Sequence, residues 1–122
     1  MHNKESLLKN RLKSVGYAFK GAVYLLKTEA SIKIQCAIAL IATLFGFIFN
    51  ISTYEWMAQI LSIGLVMSME GINTSIEEIA NFIHPEQHSK IGLIKDIAAG
   101  AVFIASVFAC IIGLIIYLPK FF

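Results

Sequence analysis

Glu70, Asn73 and Glu77 stand at the end of an apolar run, Trp56 to Met69, where a membrane helix would carry no charge. At about 100° per residue, offsets of three and seven place these side chains within about 60° of one another, on one helix face. A charged group deep in a bilayer costs roughly 3 kcal/mol or more, so one that is kept there has a partner or ligand to compensate it. Two carboxylates and an amide on one stripe offer oxygen ligands to a cation and a base to a proton. The competing reading leaves Glu77 and Glu78 at the headgroup boundary, where a helix simply exits the bilayer. Glu70 and Asn73 on the Glu77 face favour a site.

Two further groups could contribute. Glu29, in Lys27-Thr28-Glu29-Ala30-Ser31, should lie near the same cytoplasmic depth as Glu77. Carboxylates from two helices plus an amide suit Mg²⁺, which takes oxygen ligands and shares its shell with water and phosphate. Taken alone, Glu29 reads as an interfacial charge balancing Lys27. Lys95 and Asp96 open the last apolar stretch, with Glu86 and His88 in the segment before it. A lysine near a helix N-terminus suits a phosphate. Taken alone, the pair reads as a snorkelling lysine and an aspartate cap. No G-x-x-x-x-G-K-[ST] loop exists, and the eight glycines form no G-x-G-x-x-G. Any phosphate cradle is therefore built from helix-borne side chains.

The elements that must position these groups are helices in a membrane. Apolar residues make up 57% of the 122 residues and charged residues 15%, with a mean hydropathy of +0.74, well away from an ordinary soluble domain. Apolar stretches of spanning length run from about Ile34 to Ile51, Trp56 to Ile72 and Ile97 to Leu118, the second continuing as a polar helix. The first begins too late, and lacks the small-residue site, for a cleavable signal peptide. Before it, Leu7, Leu8, Leu12, Val15, Phe19, Val23 and Leu26 recur at three- and four-residue steps among lysines, the pattern of an amphipathic surface helix. The fold class is thus an all-α integral membrane protein of one domain, 1–122. It has a surface helix over about 6–27 and membrane helices over about 32–51, 55–82 and 93–119.

Seven of the ten Lys and Arg residues precede the first span, and Lys90 and Lys95 lie between the second and third. The positive-inside rule then puts the N-terminus and the 80–96 loop in the cytoplasm. The basic residues read as topology and headgroup contacts, with no nucleic-acid surface. Residues 50–55 form a short external turn, and residues 82–92 a polar loop broken by Pro85 and Gly92. Small residues in the third span, among them Ala98, Gly100, Ala109 and Gly113, mark a packing face. Cys36 and Cys110 lie within spans and read as apolar packing.

The run Glu70-Gly71-Ile72-Asn73-Thr74-Ser75-Ile76-Glu77 resembles the E-x-[aliphatic]-N-[ST]-[SA]-[aliphatic]-E signature of the prokaryotic diacylglycerol kinase family. The resemblance continues through Glu86-Gln87-His88 and Lys95 to Val102, and back to Gly16–Gly21 and Glu29. It implies a small three-span lipid kinase of the bacterial inner (cytoplasmic) membrane, multi-pass and homotrimeric, that phosphorylates undecaprenol or diacylglycerol with Mg-ATP. It further implies Glu70 as general base, Glu29 and Glu77 as Mg²⁺ ligands supported by Asn73, and Lys95 on the ATP phosphates. Tyr17, Glu86, His88 and Asp96 would line the nucleotide pocket, with Arg11 or Lys13 as an added basic contact. The Ala98–Val102 run and the Leu118-Pro119 ending resemble the undecaprenol kinase branch. One departure stands out: the family commonly has Val-Asp where this chain has Ala80-Asn81.

Two rival readings are a small transporter or channel with Glu70 and Glu77 as relay groups, and a non-catalytic family member. The first leaves Glu29, Glu86, His88 and Lys95-Asp96 unexplained. The second rests on Asn81.

Overall fold

The computed structural model describes residues 4–122, which form four helices: α1 Lys4–Thr28, α2 Ala30–Ile48, α3 Thr53–Ile83 and α4 Ser89–Phe121. α1 and α2 are almost one helix. Glu29 alone leaves helical geometry, at φ −96° and ψ 116°. Even there, its N–H donates to the Leu25 carbonyl (3.0 Å) and its carbonyl accepts from Lys33 N–H (3.1 Å). The break is confined to this one residue, and the two bonds carry the backbone across it.

The α2–α3 connection is specified residue by residue. Asn50 takes a left-handed conformation at φ 51°, a region that asparagine tolerates better than most residues. Ser52 then caps α3: its hydroxyl accepts from Glu55 N–H at 3.2 Å, and Glu55 Oε1 accepts from Ser52 N–H at 2.9 Å. These reciprocal bonds form a capping box, satisfying two donors that a helix start leaves open. Glu55 therefore belongs to α3 and not to the turn.

The second connection is shorter than the 82–92 loop expected from Pro85 and Gly92. Only residues 84–88 lie outside helices. α4 starts at Ser89 because the His88 ring accepts from Lys90 N–H (3.1 Å), and Gly92 N–H bonds back to His88 carbonyl (2.9 Å). His88, not Asp96, is thus the cap, and Lys95 and Asp96 lie nearly two turns inside the helix.

Burial is inverted relative to a water-soluble protein. The buried residues include Gln59, Glu70, Asn73 and Thr74, whereas Ile34, Leu40, Phe47, Leu61, Phe103 and Ile115 are all exposed. Aliphatic surface on this scale belongs against hydrocarbon or another chain. α2 and α4 are long and apolar enough to cross a membrane; α3, with its polar second half, has no comparably apolar window. α4 packs along α3 most extensively, α2 less so, and α1 mainly touches α2. Ala98, Ala105 and Ile116 form the buried line of α4, spaced so that small side chains bring it close to α3. None of α1 is buried, and Leu7, Leu8, Leu12, Val15 and Phe19 face away from the bundle.

At the end near residues 49–52 the helices are tied together. Gln59 donates to the Ala42 carbonyl (3.1 Å), and the Tyr117 hydroxyl is bonded to Gln59 Oε1 (2.5 Å) and lies 3.2 Å from the same carbonyl. One residue from each of α2, α3 and α4 thus meets at one point. Phe45 and Phe49 pack edge-on against Tyr117 and against each other, and Phe121 packs edge-on against Phe49. Trp56 lies flat against Gly46, where a Cβ would fall 2.5 Å from the indole. A Lys120–Glu55 ion pair at 3.4 Å closes the rim.

Candidate active site

The polar stripe lies at the opposite end of the same bundle, on the face of α3 that meets the other helices. Its regularity follows from the sequence: one unbroken helix, Thr53–Ile83, carries Glu70, Asn73 and Glu77 along one side. Glu70 and Asn73 are buried, Glu77 half-buried. Thr74 Oγ1 returns a hydrogen bond to the Glu70 carbonyl (3.1 Å), which keeps this hydroxyl on the helix backbone.

Asn73 is the informative member. Its Nδ2 donates to Glu77 Oε1 at 3.3 Å, while its Oδ1 is buried with no hydrogen-bond partner. An orphaned buried acceptor is rare enough to need a reason. Beside a carboxylate one turn away, that oxygen fits a hard divalent cation such as Mg²⁺. Among the described residues no three His, Cys, Asp or Glu side chains gather at metal-binding distance. A cation held by Glu77 and its neighbours would therefore draw further oxygens from outside this set, as Mg²⁺ does from phosphate and water.

Glu70 lines the site end of an apolar groove of about 520 Å³ between α2, α3 and α4. The groove runs from Ser31 and Glu70 to Gln59 and Tyr117, walled in part by Ala39, Ala109 and Gly113. Gln35, on the α2 wall, has a buried Oε1 without a partner. Gly71 positions the end of α1 here. A Cβ at residue 71 would lie 3.0 Å from Leu25 Cδ1, so the missing side chain lets Leu25 rest on α3 beside Glu70. Glu29, four residues beyond Leu25, is half-buried and makes no side-chain cap bond.

The remaining candidates divide. Glu86 and His88 lie in the 84–88 segment, which with Lys95 lines a second cavity of about 390 Å³. His84 shapes that segment: its Nδ1 is 2.7 Å from the Glu86 carbonyl, and its ring packs edge-on against His88. Lys95 is half-buried and donates to Asn81 Oδ1 at 2.5 Å. Asp96 is exposed. Tyr17 is exposed on α1, with Lys20 Nζ 6.0 Å from its ring, and among the described residues makes no hydrogen bond or ring contact with the other candidates. Arg11 and Lys13 are likewise exposed on α1. One chain thus assembles Asn73 with Glu77, places Glu70 at the head of the groove, and sets Lys95 with Glu86 and His88 around the second cavity.

Sequence reasoning missed the Lys95–Asn81 contact, the Gly71–Leu25 contact and the Gln59–Tyr117 link. Gln59 was detectable: eleven residues before Glu70, it is about 20° away around the helix and extends the polar face.

An inverted-burial bundle with two helices of spanning length defines the chain as a membrane protein, with a buried acidic site at one end of its interior. Residues 16–117 match the prokaryotic diacylglycerol kinase family. The undecaprenol kinase of Bacillus subtilis (strain 168) is 39% identical over 108 residues, 88% of each chain. The diacylglycerol kinases of Haemophilus influenzae and Escherichia coli (strain K12) are each 30% identical, covering 92% and 82% of each chain respectively. The chain belongs to the prokaryotic diacylglycerol kinase family and is a lipid kinase, on the undecaprenol kinase-like side of that family.

Proposed function

We propose that this protein transfers the γ-phosphoryl group of Mg-ATP to the hydroxyl of a membrane lipid, undecaprenol or diacylglycerol, at the cytoplasmic membrane surface. The observation that carries the reading is Glu70: a buried carboxylate at the head of an apolar groove, one turn from the Asn73–Glu77 pair. The undecaprenol kinase relative, at the higher identity, favours undecaprenol.

Glu70 accepts the proton of the lipid hydroxyl as the oxygen bonds to the γ-phosphorus and the bond to ADP breaks. The lipid's hydrocarbon stays on the membrane side, in the groove. Glu77 lies about 10 Å further along the axis at 1.5 Å per residue, nearer the cytosol and the nucleotide. Glu77 and Glu29 would hold the Mg²⁺ that accompanies ATP, with Asn73 supporting them, and the ion would neutralise phosphate charge. Lys95 contacts the phosphates, and Tyr17, Glu86, His88 and Asp96 border the nucleotide. Phosphoryl transfer needs positioning and charge neutralisation more than covalent chemistry, so a base, a metal and a lysine suffice.

α2, α3 and α4 all cross the bacterial inner membrane, with α1 and the 84–88 segment on the cytoplasmic face, as the lysine distribution favours. α3 spans despite its polar half because neighbouring helices cover that half. Homotrimer formation would cover the exposed aliphatic faces and bring Tyr17, isolated within one chain, to a site shared between subunits.

The test is transfer from radiolabelled ATP by purified protein in mixed micelles, with undecaprenol and diacylglycerol offered separately. Mg²⁺-dependent labelling of undecaprenol in excess of diacylglycerol is expected. Folded protein that labels neither lipid, with or without Mg²⁺, refutes the reading.

A further inference from the structure

Lys95 is held by a neutral group. Asn81, two residues before the end of α3, and Lys95, in the second turn of α4, are fourteen apart, and the short 84–88 segment folds them together. Nζ donates to Asn81 Oδ1 at 2.5 Å. Among the described residues Lys95 makes no ion pair, although Glu77, Glu78, Glu86 and Asp96 all lie nearby in sequence or across the segment. Its charge therefore stays uncompensated while its position is set. The amide also keeps both Nδ2 hydrogens, for which no partner exists among the described residues. The ammonium so anchored belongs to the residue that lines the 390 Å³ cavity with Glu86 and His88.

We propose that Asn81 is a positioning residue for phosphate binding: it orients the Lys95 ammonium toward the polyphosphate of the nucleotide without spending its charge. This rests on the reading of Lys95 as a phosphate contact. A carboxylate at the same position would orient Lys95 equally well but pair with it, and so compete with phosphate for the same cation. An alanine would leave the charge whole but release a long, flexible side chain. The two substitutions thus separate charge from orientation.

The experiment measures displacement of a fluorescent ATP analogue by Mg-ATP, together with KM and kcat for lipid phosphorylation, in micelles at low and high salt. Asn81→Asp weakens Mg-ATP binding about twofold to fivefold at low salt, with KM rising in parallel and kcat nearly unchanged, since an exposed ion pair is worth no more than about a fivefold change. The penalty shrinks toward none at about 1 M salt, where the screening length is about 3 Å. Asn81→Ala weakens binding about twofold to threefold through side-chain entropy, with little salt dependence. Equal binding by wild type and both variants, in a protein that phosphorylates lipid, overturns the inference and leaves the kinase reading intact. An Asn81→Asp penalty that salt does not alter overturns it as well, because a merely structural defect ignores ionic strength. A wild type that binds no Mg-ATP overturns both.

Discussion

The two ends of the α2–α3–α4 bundle use the same kinds of side chain to opposite effect. At the end near residues 49–52, Gln59, Tyr117 and the Ala42 carbonyl satisfy one another, Phe45 and Phe49 pack on Tyr117 with Phe121 against Phe49, and Glu55 is shared by Ser52 and Lys120. At the other end, the Glu70 carboxylate accepts no hydrogen bond among the described residues, and Asn73 has a buried oxygen with nothing to bind. Buried polar groups that are fully paired make helices rigid and fix their register. Buried polar groups left unpaired cost stability, and they persist where a ligand completes them. The first end holds the bundle shut so that the second can stay unsatisfied.

That contrast predicts that substitutions at the two ends separate activity from stability. The largest effect is expected from Glu70→Gln, which keeps the shape of the side chain and removes its basicity. It lowers kcat for lipid phosphorylation by about 10²–10⁴-fold, the usual contribution of a general base, without lowering the melting temperature in micelles. Full activity in this variant would remove Glu70 from the chemistry. Next comes Asn73→Leu, which replaces the amide by an apolar group of similar shape and so removes both the orphaned Oδ1 and the Nδ2 bond to Glu77. Activity falls about 10–100-fold, as for groups that orient a metal site. The melting temperature stays level or rises, because relief of the desolvation cost of roughly 1–3 kcal/mol for an unpaired buried acceptor offsets the one long bond lost to half-buried Glu77, worth about 1 kcal/mol. A clear drop in stability would mean that Oδ1 is already satisfied in the assembled protein.

The smallest effect belongs to the other end. Tyr117→Phe removes the hydroxyl that meets Gln59 and the Ala42 carbonyl. A stability loss of about 1 kcal/mol is expected, the scale of polar contacts between membrane helices, and KM for Mg-ATP should not change. Thermal unfolding in micelles measures the first, and steady-state kinetics the second. A variant that lost activity in step with Gln59 contacts, but melted normally, would show that the ends are coupled.

Much of the architecture was legible in the chain. The heptad-like spacing of leucines in α1, the apolar stretches of α2 and α4 and the shared face of Glu70, Asn73 and Glu77 all follow from helical periodicity. The boundaries were less so. Pro85 and Gly92 suggested a loop over 82–92, yet α4 begins at Ser89, because the His88 cap outweighs the low helix propensity of one glycine. Asp96 looked like a cap and is instead an exposed residue well inside the helix. The Gln59–Tyr117 link, spanning 58 residues, could not be read from local patterns at all.

By itself the sequence determined which residues share a helix face, how many helices form, that their outside is apolar, and which family signature the acidic stripe carries. These depend on the 3.6-residue period and on transfer of side chains from water, both of which act locally along the chain. Only the tertiary structure decided which polar groups are paired. Asn73 bonds Glu77 with one atom and strands the other, Asn81 takes Lys95, and Gly71 admits Leu25 beside Glu70. Such pairings depend on the distance and rotation between separate helices, to which buried Ala98 and Ala105, and Gly46 and Gly71 beneath Trp56 and Leu25, contribute. A hydrogen bond resolves differences of a few tenths of an ångström, and no pattern along one helix carries that information.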